Sequence, residues 1–343
     1  MSQTLIDQLA GPPPVEDPDQ ARPISHQLHG SDRTFRGVAR LSAIIVLTIM
    51  GFIGVFLAYR GFEALRRDGI WKFITTQAWF PEANHFGIAA VIPNGIFIAL
   101  VAIVFAIPLA VGTALYISEY APGRVRSTLI AMVDLMAAVP SVVYGIWGLF
   151  LFQGHAANFA RWIATYFSWI PIFKVTGFNP HDPLGTITLF TSSSFIAGMV
   201  VGLMITPSIC SISREVFTRA PDGEREGALA LGATKWGMIR SVVLPYGRGG
   251  VIGGTMLGLG RALGETIAVV LIISPIYFRN AQILHNGTNS VSALIANKYG
   301  EASSFATSAL MAAGLSLFLL TLAVNFGASS IVARSRSGAS GDA

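Results

Sequence analysis

Charge is what this sequence has least of. Of its 343 residues only 12% are Asp, Glu, Lys or Arg, while 52% are hydrophobic. A soluble domain carries about a quarter charged residues, so an ordinary soluble fold is excluded and a chain that meets lipid is indicated. Cysteine is nearly absent. The single Cys210 excludes an intrachain disulfide and leaves too few thiols for a cysteine-held zinc or iron–sulfur site. Its apolar surroundings read as those of a buried, inert thiol. No G-x-x-x-x-G-K-[ST] loop occurs, so the chain has no P-loop nucleotide site of its own. Metal-ligand clusters and nucleophile–base pairs are missing from the apolar runs, which argues against a membrane-embedded enzyme. The net charge of +5 does not signal nucleic acid, because the basic residues flank apolar runs instead of forming a patch.

What is present is uncharged length. Six runs, within residues 40–60, 86–118, 127–153, 186–213, 249–278 and 302–333, each reach the roughly 20 residues that a membrane-crossing helix needs. They predict an all-α polytopic membrane protein with six transmembrane helices, kinked where Pro93, Pro108 and Pro140 fall. An even number of spans puts both termini on one side. Of the 23 Lys and Arg, only Arg60, Arg66, Arg67, Lys72, Arg161, Lys174, Arg279 and Lys298 fall on the other side, and Arg261 lies inside a span. The termini are therefore expected in the cytoplasm. Residues 1–36, polar and proline-rich, read as a disordered cytoplasmic tail. Residues 37–85 read as a first span with an external segment, 86–333 as the main transmembrane domain with an internal loop at 219–245, and 334–343 as a short cytoplasmic tail. Phe159, Trp162, Ile163, Tyr166, Phe167 and Ile170 recur at helical spacing before Pro171. They predict an amphipathic helix, lying in the outer interface or packed on the bundle. Residues 61–80 read as a similar short helix.

The loop at 219–245 has an organisation of its own. Residues 222–231 suit a short helix after Pro221, Gly232 permits a turn, and Thr234 is placed to cap a second helix through Lys235 and Trp236. Two short helices at an angle form a knob that exposes Ala228, Leu229, Leu231 and Trp236. An apolar knob needs a groove on another protein to bury it.

The fifth run carries the buried charge. Gly250, Gly254 and Gly258 form a smooth stripe for helix packing. Arg261 follows about 18 Å into the span at 1.5 Å per residue. An arginine there costs at least about 3 kcal/mol on insertion scales and requires a partner or a watery path. Glu265, at i+4, is within reach on a continuous helix. Two readings stand: a neutralised structural pair, or an anion site in which Arg261 offers a fork of donors to an oxyanion. In the second, Glu265 orients Arg261 or accepts the proton that phosphate carries and sulfate lacks. Thr255, Thr266 and Ser141 are candidate neutral donors. Asp134 in the third run reads as structural.

Two sets of motifs point to a family. Glu226, Gly227 and Ala228, then Gly232, then Val242, Leu244 and Pro245 match the spacing of the EAA loop of ABC-importer permeases, with Gly227 and Val242 as small departures. AAVPSVVYGIWG at 137–148, ALALGATKW at 228–236, GLGRALGET at 258–266 and SALIAN at 292–297 resemble the PstC-type permease subunits of bacterial phosphate-specific ABC transporters. Asp134 stands where that family is expected to hold Glu. The resemblance covers about 71–334 and implies the type I ABC-importer permease fold in the bacterial inner membrane. It implies a heterodimer with a PstA-type sister and two cytoplasmic ATPases that use ATP and Mg. It also implies an external phosphate-binding protein. The chain itself would be a non-catalytic subunit without a bound cofactor or metal. Glu226, Ala228, Leu231, Gly232, Trp236, Leu244 and Pro245 would then couple it to the ATPases, and Arg261 and Glu265 would lie along the path. A secondary transporter or anion channel is the rival reading; neither requires the 226–245 spacing.

Overall fold

Lipid offers no hydrogen bonds, so a backbone that crosses it must satisfy its own N–H and C=O groups, and uncharged runs do so as helices. The computed structural model describes residues 30–179 and 186–336. The chain divides between Ile53 and Gly54, inside the first helix, α1 (Gly30–Asp68). In the N-terminal unit that helix is exposed from Arg33 to Ile53, and beyond Arg40 it presents an apolar surface suited to lipid. It starts ahead of residue 37, inside the segment expected as a tail. The remainder of the expected tails, 1–29 and 337–343, lies outside the described residues.

The second unit is built on α3 (Ile92–Leu115) and α7 (Ser194–Thr218). Their axes come close because α7 places glycines at the contact. A Cβ on Gly198 would lie 2.6 Å from the Val101 Cβ, and one on Gly202 would lie 2.8 Å from the Ala102 carbonyl oxygen. The α10 helix (Leu244–Gly264) packs on the same α7 through the predicted glycine stripe. Gly250, Gly254 and Gly258 meet Val216, Ile212 and Ile209, and Gly247 extends the stripe onto Phe217. Small residues thus let van der Waals contact act along the full helices, the main attraction available inside lipid.

Four of the six expected spans are single helices long and apolar enough to cross a membrane: Arg33–Arg67, Ile88–Tyr120, Ser194–Thr218 and Ser304–Gly327. The third and fifth are broken. In the third, α4 (Gly123–Ala138) is followed by Val139 and Pro140 and then by α5 (Ser141–Trp147), a π-helical turn and α6 (Gln153–Phe167). The two arms bend by 91°. Pro140 has no N–H to continue the helix and drives Val139 into extended backbone, φ −66° and ψ 128°. In the fifth, α10 stops at Gly264, Glu265 is extended, and α11 (Ile267–Ile272) restarts the helix. Of the other two predicted kink sites, Pro93 sits in the first turn of α3, where proline is tolerated, and Pro108 lies inside it.

The segment expected as a short helix at 61–80 is different. α1 continues through Arg66 and Arg67, followed by α2 (Ile70–Thr75) and a hairpin of β1 (Trp79–Phe80) and β2 (His85–Phe86). Trp79 pairs with Phe86, and Asn84 adopts φ 56° in the turn. Phe73, Trp79 and Phe86 form an edge-to-face cluster that covers the start of α13 (Ser304–Arg336). Ser308 of α13 ties down α1, donating to the Arg60 carbonyl at 2.8 Å and accepting from the Ala64 N–H at 3.1 Å. The predicted aromatic helix exists as α6, and it packs by its other face. Ala156, Ala157, Ala160 and Ala164 are buried, while Phe159, Trp162 and Tyr166 remain exposed, Phe159 stacked on Trp162 and Tyr166 tilted against it.

Gly198→Leu should lower the stability of the assembled protein by about 1–3 kcal/mol, the usual cost of overpacking. Gly112→Leu, where a Cβ meets nothing within 4 Å, should leave it unchanged. Thermal unfolding of the detergent-purified complex distinguishes the two; equal midpoints would refute the close α3–α7 contact.

Candidate functional site

The break after Gly264 is a built structure. The Glu265 Oε1 accepts the Ala268 N–H at 3.1 Å, capping α11, and the Glu265 carbonyl accepts the Ser292 hydroxyl at 2.8 Å. Ser292 belongs to α12 (Val291–Lys298), whose own cap is Ser290, accepting the Ala293 N–H at 3.2 Å. The two broken spans meet here. Gly145 of α5 is buried against α11, where an added Cβ would lie 3.0 Å from the Ala268 Cα. At the other break the Tyr144 hydroxyl donates to the Met136 carbonyl at 3.0 Å, satisfying an acceptor freed where α4 ends.

Arg261 occupies the last turn of α10, where a cation favours the negative end of the helix dipole. It is exposed. The sequence placed Glu265 one turn on, within reach of Arg261. Among the described residues no ion pair joins the two, because the helix ends between them and the carboxylate turns to the Ala268 N–H. Thr266 is half-buried at the same break, donating to the Gly264 carbonyl at 3.2 Å. Ser141, half-buried, begins the helix that packs on α11. Thr255 is buried further back in α10 and does not share the exposure of Arg261. Asp134 is exposed on α4, a helix that buries no residue in this chain. The contributions of Ser292 and Tyr144 were not foreseen; a serine hydroxyl bonding a carbonyl far along the chain leaves no local pattern.

The predicted knob is present. α8 (Asp222–Ala230) ends at Leu231, Gly232 takes φ 85°, and the Thr234 hydroxyl accepts the Gly237 N–H at 3.1 Å to cap α9 (Lys235–Met238). A π-helical turn, Ile239–Val243, then leads into α10. Leu231 is 92% exposed and Trp236 57%, apolar surface on the knob that this chain leaves uncovered. Leu229 and Glu226 are exposed as well, and Pro245 lies exposed in the first turn of α10. Ala228 differs from expectation. It is half-buried against the core, as is Leu244, because the inner side of α8 rests on the bundle.

The sequence profile described as "Binding-protein-dependent transport system inner membrane component" matches residues 106–337, which hold both breaks and the knob. The PstC 2 phosphate transport system permease protein of Mycobacterium tuberculosis is 38% identical over 304 residues, spanning 88% of this chain and 91% of its own length. The chain belongs to this family, among its PstC-type permeases. PstC of Xylella fastidiosa (strain Temecula1) is 34% identical over 325 residues, 94% of this chain and 95% of its own. Among solved structures, a bacterial alginate ABC transporter bound to its alginate-loaded periplasmic protein aligns with TM-score 0.56 at 15% identity, covering 88% of this permease and 96% of that chain. A second alginate importer gives TM-score 0.55 at 18% identity, covering 88% and 99%. At those identities the likeness concerns the fold, which is that of an ABC-importer permease in multi-pass form.

Replacing Glu265 by Ala should cost about 1 kcal/mol, the typical worth of a helix cap. Glu265→Gln, which keeps an acceptor oxygen, should retain most of that stability. Thermal unfolding of both variants tests this, and equal losses would refute the capping role.

Proposed function

We propose that this permease moves inorganic phosphate inward across the bacterial inner membrane as half of a heterodimer with a PstA-type sister. Two cytoplasmic ATPases docked on the 226–245 knob would drive it, and an external phosphate-binding protein would supply it. One observation carries the reading: Arg261, an arginine within a predicted span, stands exposed beside two helix breaks with no carboxylate paired to it among the described residues. A planar guanidinium in a low-dielectric setting binds an oxyanion through parallel, charge-assisted hydrogen bonds. The relatives named as phosphate permeases support phosphate as that anion. Glu265 fits as a discriminator. Its Oε1 is held by Ala268, and among the described residues Oε2 has no hydrogen-bond partner, so Oε2 can take the proton that phosphate retains near neutral pH.

The exposed α4 and Arg261 offer the face on which the sister subunit would complete the path. With both termini in the cytoplasm, as the Lys and Arg distribution favours, the knob would lie on the side of the ATPases, and a chain without a P-loop would leave nucleotide chemistry to them. This subunit would therefore be non-catalytic, transmitting force and shaping the path. The roles of Glu226, Leu231, Gly232, Trp236, Leu244 and Pro245 in docking follow from the knob; Ala228 supports it from beneath.

Arg261→Ala should reduce uptake of labelled phosphate by the reconstituted complex at least about tenfold, the loss expected for charged hydrogen bonds. Assembly should be unaffected, and sulfate should not compete in the parent protein. Normal uptake would remove Arg261 from the path. Gly232→Val forces a β-branched residue to φ 85°, a backbone region it strongly disfavours. ATPase copurification with that variant should drop, and full retention would count against the knob as the docking element.

A further inference from the structure

The knob is joined covalently to two helices, to α7 through residues 219–221 and to α10 through the π-helical turn. α3 has no such link, since the chain leaves it at Ala121 and enters α4. It is nevertheless held. Arg225 of α8 places Nη2 3.2 Å from Oε1 of Glu119, in the π-helical turn Tyr116–Tyr120 that ends α3. The same nitrogen donates to the Phe217 carbonyl at 2.6 Å, in the last turn of α7. The Glu119 side chain is 5% exposed and that of Arg225 18%. Asp222, 3.7 Å from Nη1, is 88% exposed and a weaker partner. Next to it, the Lys235 ammonium of α9 sits 4.6 Å above the Tyr120 ring. Both short helices of the knob therefore grip the end of α3.

A buried ion pair is a poor way to add stability, because desolvating both charges offsets most of their attraction. What it supplies is a short, enclosed link between two elements: the contact is Coulombic, since among the described residues Glu119 Oε1 and Arg225 Nε have no hydrogen-bond partner. We propose that Glu119 and Arg225 are positioning residues that carry the motion of the knob to α3, the helix wedged against Gly198 and Gly202 of α7. This rests on the reading of the knob as the ATPase-docking element.

The test uses the whole reconstituted complex, with labelled inorganic phosphate as the transported probe and ATP hydrolysis measured in parallel. Glu119→Gln should keep both ATPase subunits through purification while phosphate moved per ATP falls about fivefold or more, the range of coupling between linked sites. Arg225→Gln should do the same, and the double variant should be no worse than either single. An unchanged ratio in Glu119→Gln, or a double loss equal to the product of the single losses, would overturn the proposal. So would failure of both single variants and the double to accumulate, which would assign the pair to folding. Leu231→Glu separates the underlying reading. If it sheds the ATPases while Glu119→Gln transports normally, the strut alone is wrong; if it retains them, the docking assignment falls and the strut with it.

Discussion

A backbone that leaves the helix inside lipid has to find hydrogen-bond partners within the protein, and the organisation of this permease follows from the two places where it does. At Val139 and Pro140 the helix stops because proline has no N–H, and Tyr144 reaches back to Met136. At Glu265 it stops without a proline. There the carboxylate caps the next helix, and Ser292 satisfies the carbonyl from another element. The breaks are adjacent, with Gly145 of α5 against Ala268 of α11. Irregular backbone in a membrane is tolerated where it is buried in protein or lines an aqueous path. Arg261 stands at its edge. An exposed guanidinium there is costly unless the surroundings are wet or anionic.

Close packing decides how firmly the breaks are held. The α7 helix presents Gly198 and Gly202 to α3 on one side and receives the glycine stripe of α10 on another. Such contacts leave little space for a side chain to shift and couple the three helices as one body. α4 and α6 are looser by comparison. α4 buries no residue fully, resting on the core by the half-buried Leu129, Ile130 and Val133, and α6 buries four alanines while Trp162 and Tyr166 face outward. The aromatic stripe was conspicuous in the sequence and still did not identify the packed face. Alanine at helical spacing is as effective against a neighbouring helix as a larger residue, and its signal is faint.

Legibility in the sequence tracked the range of the interaction. Features set by a few consecutive residues were readable: the left-handed turn at Gly232, the cap at Thr234, the glycine stripe, the four unbroken spans. The break at Glu265 was not, although its residues were singled out. GLGRALGET contains no proline, and helical continuity was the natural assumption. That assumption produced the expected Arg261–Glu265 pair, which the structure replaces with an exposed arginine and a capping carboxylate. The partners that fix the break, Ser292 and the packed α5, lie 27 or more residues away from Glu265. Thr255 was a candidate neutral donor to the same site as Arg261, whereas burial separates the two. The clamp of Arg225 on Glu119 likewise joins residues that no local pattern relates.

Knob and break are the two ends of one helix. α10 has 21 residues and at 1.5 Å per residue spans about 31 Å, from the π-helical turn below the knob to Arg261 and the break. Its glycine face is interlocked with Val216, Ile212 and Ile209 of α7, so bending in its middle would have to move a packed neighbour. Displacement of the knob, on the docking proposal, would therefore travel along α10. It would be absorbed where the helix is already interrupted, at Glu265 and Thr266, where the side chains of Glu265, Thr266 and Ser292 supply three hydrogen bonds around the break. A hinge formed by a few element-terminal residues is the usual way a fold converts rigid-body motion into rearrangement. With the exposed cation one turn before that break, such a motion would act directly on the charge that an anion would meet.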